Sequence, residues 1–287
     1  MPNATRTGGA LDWVRSQVRL RGAPRLHKHR PWSRVWEVPT SEGVRWLKAC
    51  SPATAHEARL LPALAAWGVP GVPRPLAAEP DAGYLLLADH GATLNSTRDA
   101  SRRWPQVLGG YAAVQRRVTP HAAELLALGV PDLRLGVLPD VAADLFSRWA
   151  PGLAGEVARI RDEAAELAEL GPPPTLQHDD LHDGNVFAAD LAVFDWGDAC
   201  VGHPFSSLLV ALQVDDAVHP SPAARTAYLA GWDLAPTRHE RAVELGVRLG
   251  RISRAHSWER ALADWPDPPA AYAGAPGHWL RTLQTTV

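Results

Sequence analysis

Residues 177–199, QHDDLHDGNVFAADLAVFDWGDA, contain the pattern that decides the fold. Two short apolar runs, at 186–187 and 191–194, flank an Ala-Ala-Asp turn, and this pattern predicts a β-hairpin. Such a hairpin places Asn185 and Asp195 directly opposite each other, about 5 Å apart. Amide and carboxylate oxygens are hard ligands, which suit Mg²⁺ better than zinc. We therefore predict that Asn185 and Asp195 bind one magnesium ion.

The same segment has the residue spacing of a kinase catalytic loop. His178-x-Asp180-x-x-x-x-Asn185 matches the H-x-D-x-x-x-x-N pattern, and Asp195-Trp196-Gly197 stands where kinases carry Asp-Phe-Gly. In this pattern the first aspartate accepts or orients the proton of the attacking hydroxyl. We predict Asp180 as the catalytic residue for phosphoryl transfer from ATP. His178 is expected to hold the loop by hydrogen bonding.

Lys48 and Glu57 form a second candidate pair. Lys48 ends a predicted strand, and Glu57 lies on the same face of the next predicted helix as three leucines. A carboxylate on an apolar face needs a partner, because burial of an unpaired charge is costly. In kinases such a pair holds the lysine on the α- and β-phosphates of ATP. A structural ion pair is the alternative interpretation.

The region between the first two predicted strands reads HRPWS and contains no glycine-rich phosphate loop. Ser33, through its hydroxyl and amide, is the candidate to contact a phosphate there, and an ordinary turn serine is the alternative.

Lys28 and Lys48 are the only lysines of the chain, and the other basic residues are arginines or histidines. Asp198 either contacts a second metal ion or caps the following turn.

Composition narrows the class of protein. Apolar residues make up 46% and charged residues 21% of the 287 residues, which is typical of a folded globular chain. The net charge of −2 gives no basic field for nucleic acid or for an anionic membrane. No apolar run reaches the roughly 20 residues that span a bilayer, and the N-terminal residues show no signal segment. We expect a cytoplasmic protein with no nucleic-acid or membrane partner.

The two cysteines, Cys50 and Cys200, cannot form a disulfide framework and are expected to be buried thiols, with a redox or catalytic role as the alternative.

The order of the periodic segments predicts an α+β protein with a small β-rich N-terminal lobe, residues 1–90, and a larger helical C-terminal lobe, residues 91–287. The N-terminal lobe is predicted to bind nucleotide, and the C-terminal lobe to carry catalysis and the acceptor site. Strands are predicted at a segment ending near residue 29 and at 34–38, 44–49, 71–76 and 83–88, and helices at 9–20, 51–67, 104–118, 137–149, 153–170, 204–213, 222–231 and 237–263.

With Lys48, Glu57, the 178–185 loop and the 195–197 motif in this order, the sequence resembles the aminoglycoside phosphotransferase and choline kinase-like family. Members of that family carry HGDLHPGN and a D-W-G/E-type motif at these places. The resemblance extends from about residue 27 to about residue 260. It implies a protein-kinase-like bilobal fold that binds ATP in the cleft between the lobes.

The resemblance also implies that Leu87, Ala88 and Asp89 belong to a hinge that contacts adenine, mostly through backbone atoms. The chain departs from the family pattern at Asp179, where many members have glycine, and at Asp183, where many have proline. It also has Ser207 where many relatives carry an aspartate that braces the catalytic loop.

The acceptor is expected to be a small hydroxylated molecule. The sequence reaches Gly202-His203-Pro204 soon after Asp195, without an A-P-E segment, so no long loop is available to dock a peptide. From residue 201 onward arginines are as numerous as acidic residues, which does not favour a polycation over other acceptors. An aminoglycoside-like compound, a macrolide, a sugar or an amino alcohol all remain open. The alternative function is a catalytically weak or inactive nucleotide-binding scaffold of the same fold.

Overall fold

The N-terminal part is a five-stranded antiparallel sheet in the order β1-β2-β3-β5-β4. The structure is a computed structural model that describes residues 2–212, 221–263, 265 and 267–284, with side chains from residue 8 onward. The tight β2–β3 hairpin needs Gly43, whose φ of 100° is a backbone conformation that side chains disfavour. The strands are β1 (Arg25–Arg30), β2 (Ser33–Thr40), β3 (Gly43–Cys50), β4 (Ala77–Glu79) and β5 (Tyr84–Ala88).

The two faces of this sheet have different roles. Neighbouring residues of a strand point to opposite faces, so Leu47 and Lys48 of β3 lie on different sides. Leu47 is fully buried in a small core with Trp36 and Val14, under the first helix, α1 (Pro2–Gln17). Lys48 pairs with Leu85 across the sheet and lies on the other face. Lys48 therefore lies on the face opposite α1.

The rest of the chain is mostly helical. One large core runs from the N-terminal sheet into this part and includes Trp104, Tyr111, Trp196 and Tyr228, all almost fully buried. None of the described helices is long and apolar enough to cross a membrane. The helices are α2 (Glu57–Ala66), α3 (Ala100–Val118), α4 (Ala122–Ala127), α5 (Leu138–Trp149), α6 (Val157–Leu170), α7 (Leu208–Ala211), α8 (Pro222–Leu229), α9 (Pro236–Leu262), α10 (Ala270–Ala273) and α11 (Ala275–Arg281), and a small antiparallel pair joins β6 (Thr175–Gln177) to β7 (Cys200–Gly202).

The predicted α+β organisation is confirmed, with differences in single elements. No strand forms over 71–76, where Pro73 and Pro75 remove backbone donors, and β4 begins at Ala77 instead. The helix predicted from residue 51 starts as a 3₁₀ turn, Pro52–Thr54, and becomes α-helical only at Glu57. The first helix covers residues 2–17, whereas the prediction was 9–20. The sequence analysis did not predict the short helices α4, α10 and α11. The last residue of the helix predicted over 204–213 lies outside the described residues.

The hairpin predicted around residue 190 is reduced to a single antiparallel bridge between Val186 and Val193. In this register the amide of Phe194 donates to the carbonyl of Asn185 at 3.0 Å, so Asn185 lies opposite Phe194. The prediction that Asn185 and Asp195 are directly opposite is therefore wrong by one residue. Asp195 has a left-handed backbone with φ of 65°, which ends the extended pairing at this point.

The buried His203 must be neutral in this fold. Its Nδ1 accepts a hydrogen bond from the Phe205 amide at 3.2 Å, and its Nε2 donates to the Gly171 carbonyl at 3.3 Å. Burial lowers the pKa of His203 to about 4. Because the unfolded chain binds this proton near pH 6.5, the stability contributed by His203 is lost as pH falls from about 6.5 towards 4.

We therefore expect His203→Asn to reduce the acid sensitivity of the fold. Between pH 7 and pH 5, the free energy of unfolding of the wild type should fall by about 1–2 kcal/mol more than that of the variant. Urea unfolding at the two pH values measures both differences. Equal losses in the two proteins would contradict a neutral buried imidazole at this position.

Candidate active site

A cavity of about 360 Å³ lies where the N-terminal sheet faces the 178–185 loop. It brings together five residues to which the sequence analysis gave a possible role: Lys48, Asp180, Asn185, Asp195 and Asp198. The first four carry the predicted phosphate, catalytic and metal roles. β3 supplies Lys48, whereas the asparagine and the three aspartates come from the irregular segment between β6 and β7. Side chains that lie up to 147 positions apart in the sequence therefore face the same space.

Lys48 is the centre of an ion triad in which Lys48 and Glu57 are buried and Asp195 is half-buried. Its Nζ lies 2.5 Å from Glu57 Oε2 and 2.5 Å from Asp195 Oδ1. Glu57 also accepts a hydrogen bond at Oε1 from the backbone amide of Trp196, at 3.0 Å. Glu57 is thus bonded on both oxygens, and it ties α2 to β3 and to the 195–197 motif.

The triad fixes the ionisation of its members. Burial alone lowers the pKa of Lys48, but the carboxylates of Asp195 and Glu57 outweigh it and raise that pKa well above its usual value. Burial favours the neutral form of Asp195, yet the ammonium of Lys48 and the more distant Lys28 hold the pKa of Asp195 at about 2. Lys48 is therefore a cation and Asp195 an anion at neutral pH.

Asp180 lies in a second charged cluster, on the opposite side of the cavity. Its Oδ1 is 3.0 Å from Arg254 Nη2, and Arg254 is also 3.7 Å from Asp198 and 3.9 Å from Asp179. Ser257 donates to Asp198 Oδ1 at 2.6 Å. Arg254 is buried on α9, so it holds the Asp180 carboxylate in one orientation and neutralises part of the acidic cluster.

Asp179 is the most deeply buried acid of this cluster, with 3% of its surface exposed. Burial raises the pKa of Asp179 to about 8, against the opposing charge of Arg254. Its backbone adopts φ of 63°, in the left-handed region that glycine adopts without strain. This conformation gives a physical reason for the glycine that many relatives of the resembling family carry here.

Asn185 and Asp195 are suited to hold a magnesium ion. Asn185 donates through Nδ2 to the Asp180 carbonyl at 2.9 Å, which leaves its Oδ1 as an available oxygen ligand. Asp195 is ionised, and only its Oδ1 is taken by Lys48. Within the described chain no group of three His, Cys, Asp or Glu residues could hold a metal by itself. Magnesium tolerates such a site, because it is usually bound by one or two protein groups together with phosphates and waters.

A network of uncharged hydrogen-bonding groups holds the 178–185 loop in place. The His178 amide donates to the Tyr111 hydroxyl at 2.8 Å, and that hydroxyl bonds Ser207 Oγ at 2.9 Å. Ser207 in turn bonds the side chain of Gln177. His178 Nε2 bonds the carbonyl of Phe194 at 2.8 Å, which links the loop to the 195–197 motif. Ser207 is thus connected to the loop through uncharged partners, where many relatives use an aspartate.

The other candidate nucleotide contacts lie outside the lining of the cavity. Ser33 is buried at the start of β2 and pairs with Arg30 and Cys50. Leu87 and Ala88 end β5, and the carboxylate of Asp89 accepts a hydrogen bond from the Trp46 indole at 3.1 Å. The predicted roles of Ser33, Leu87, Ala88 and Asp89 stay predictions.

Sequence reasoning missed several residues of the cavity. Arg254 gave no usable signal, because an arginine on a long polar helix is indistinguishable from a solvated one. Lys28 had a signal that was not used, since it is one of only two lysines and the other was assigned to the site. Trp258 and Trp32 also line the cavity, and the sequence analysis assigned neither of them to a site.

The two lysines of the cavity allow a matched test of the ion triad. Lys48→Met leaves the buried Glu57 and the half-buried Asp195 without their cation. Removal of one partner of a buried pair, here Lys48 from Glu57, costs about 3–5 kcal/mol. Lys28→Met removes an exposed charge and should change the free energy of unfolding by less than about 0.5 kcal/mol. Urea unfolding without nucleotide measures both values. Similar losses in the two variants would show that the triad does not stabilise the fold.

The fold is shared with solved small-molecule kinases. The chain superposes on macrolide 2'-phosphotransferase type I with a TM-score of 0.66, 17% identity and 97% coverage of both chains. It superposes on the GDP complex of aminoglycoside 2'-phosphotransferase-IIIa with a TM-score of 0.65, 13% identity and 97% coverage of both chains. A choline/ethanolamine kinase family protein from Mesorhizobium loti gives a TM-score of 0.63 at 16% identity, with 96% of this chain and 95% of that chain covered. These similarities confirm the predicted kinase-like fold.

Comparison at the level of sequence gives the family. No curated protein sequence matches the chain. The sequence profile of the phosphotransferase enzyme family matches residues 32–244, which include Lys48, Asp180, Asn185 and Asp195. Because this match spans most of the 287 residues, the chain belongs to the phosphotransferase enzyme family.

Proposed function

We propose that this protein is an ATP- and Mg²⁺-dependent phosphotransferase that moves the γ-phosphate to a hydroxyl of a small molecule. The observation that carries the proposal is the convergence of Lys48, Asp180, Asn185 and Asp195 on one cavity. Phosphoryl transfer depends mainly on positioning and on neutralisation of charge. A buried cation, an orientable carboxylate and two oxygen ligands are the groups that it needs.

Nucleotide binding falls to the N-terminal residues 1–90 in this proposal, and catalysis and acceptor binding to residues 91–287. Lys48 contacts the phosphates and Glu57 sets its position. Asn185 and Asp195 hold Mg²⁺, which neutralises phosphate charge when it is bound. Two neighbours in the fold support the use of a purine nucleotide: one is a GDP complex, and a spectinomycin phosphotransferase is a complex with ADP and spectinomycin.

Asp180 acts on the acceptor. The Asp180 side chain is 29% exposed and lines the cavity, so its carboxylate can accept or orient the proton of an incoming hydroxyl. Arg254 holds this carboxylate in one orientation, at 3.0 Å. The neighbours named for a macrolide, an aminoglycoside and choline/ethanolamine support a small acceptor rather than a peptide.

The test is transfer of labelled γ-phosphate from Mg·ATP to a panel of aminoglycosides, macrolides, sugars and amino alcohols. Asp180→Asn should lose about 10²–10⁴-fold in transfer rate, because it removes the proton-accepting group, and should keep ATP affinity. Asp190→Asn is the matched control, since Asp190 lies outside the cavity lining and pairs with His90. Wild-type rates in Asp180→Asn would refute the catalytic assignment.

A second variant tests the metal site. Asp195→Ala should abolish the Mg²⁺-dependent part of ATP binding, measured by calorimetry with and without Mg²⁺. Metal-independent binding in the wild type, equal to that of the variant, would contradict the assignment of Asn185 and Asp195. A protein that binds Mg·ATP but neither transfers nor hydrolyses phosphate would instead be the nucleotide-binding scaffold.

A further inference from the structure

Lys28 is a cation of the cavity that the proposed mechanism leaves without a role. It lies on β1, where it pairs in register with Val35 of β2, and Val35 pairs with Lys48 of β3. Paired residues of an antiparallel sheet share a face, so both lysines lie on the cleft side. Both line the same cavity. The chain has only two lysines, and both lie at this site, with Val35 of β2 between them.

Lys28 is held less firmly by the protein than the other cations of the cavity, although its charge helps to lower the pKa of Asp195. The other two strong cations of the cavity are already paired: Lys48 with two carboxylates and Arg254 with three. Among the described residues, no ion pair or hydrogen bond engages the Lys28 ammonium. Lys48 and Arg254 each face more acidic groups than one positive charge balances. Lys28 is therefore the cation of the cavity that is available to bind an added anion.

The turn that follows β1 is poorly equipped to bind phosphate with its backbone. β1 and β2 are joined by Pro31 and Trp32 alone, since Arg30 pairs directly with Ser33. Pro31 has no N–H group. The Trp32 carbonyl accepts from the Ser51 amide at 2.8 Å, which ties the turn to the segment before α2. A cationic side chain beside this turn therefore strengthens a phosphate site that has few backbone donors.

We propose that Lys28 binds the β- and γ-phosphates of the nucleotide from the sheet side of the cavity, in place of a glycine-rich loop. This inference rests on the proposed function. A lysine suits the position, because its compact charge and flexible stem can follow phosphates that no rigid backbone cradle holds. Lys48 and Lys28 would then contact the phosphate chain from the two strands that flank β2.

The test compares Lys28→Met with Arg30→Met, which removes the same charge from an exposed neighbour on β1 that does not line the cavity. Calorimetry gives the dissociation constants of ATP and AMP in the presence of Mg²⁺. Lys28→Met should weaken ATP binding by about tenfold and leave AMP binding within about twofold, because AMP lacks the two terminal phosphates. Arg30→Met should change neither by more than about twofold, and Lys28→Arg should recover most of the ATP affinity.

Three results separate this inference from the function on which it rests. Wild-type ATP affinity in Lys28→Met, with Mg·ATP bound by both proteins, overturns the role of Lys28 alone. Equal weakening by Lys28→Met and Arg30→Met also overturns it, because the effect would be a general loss of positive charge. A folded wild type that binds no Mg·ATP overturns the nucleotide site together with Lys28.

Discussion

The ion triad of Lys48, Glu57 and Asp195 is the interaction on which the rest of the site depends. Lys48 and Glu57 are buried and Asp195 is half-buried, and burial of charged groups is unfavourable unless each is paired and hydrogen-bonded. The fold meets this requirement with two contacts of 2.5 Å at Lys48 and with a backbone donor from Trp196 at the second Glu57 oxygen. These contacts join β3, α2 and the 195–197 motif, so the sheet and the helical part are held in one relative position. The cavity is a consequence of that position.

The 178–185 loop has charged partners on its cavity side and uncharged partners behind it. Towards the cavity, Arg254 faces Asp180 and two further acids, and the loop carries net negative charge. Behind the loop, Tyr111 and Ser207 provide uncharged hydrogen bonds. A neutral brace avoids a further buried carboxylate next to Asp179, whose pKa is already raised by burial. A serine at position 207 is therefore compatible with an ordered loop.

Local patterns predicted the elements better than their pairing. Alternation and turn residues placed β2, β3 and β5 to within one or two residues, and periodicity placed α5 and α9 similarly. Register was less accessible, because it depends on backbone contacts that side-chain pattern does not encode. The bridge between Val186 and Val193 therefore shifted the expected partner of Asn185 by one position. A strand was predicted over 71–76 because this segment contains apolar residues, but none forms there. Pro73 and Pro75 have no backbone N–H group to donate to a neighbouring strand.

The sequence by itself determined the family and the candidate residues Lys48, Asp180, Asn185 and Asp195, because their chemistry depends on short fixed spacings within two segments. Only the tertiary structure decided which other side chains meet them. Arg254 and Lys28 come from a C-terminal helix and from the first strand, and neither belongs to a local motif. Their place at the cavity follows from how α9 packs beneath the catalytic loop and how β1 aligns with β3. Such long-range packing is specified by the whole core and not by the residues on either side.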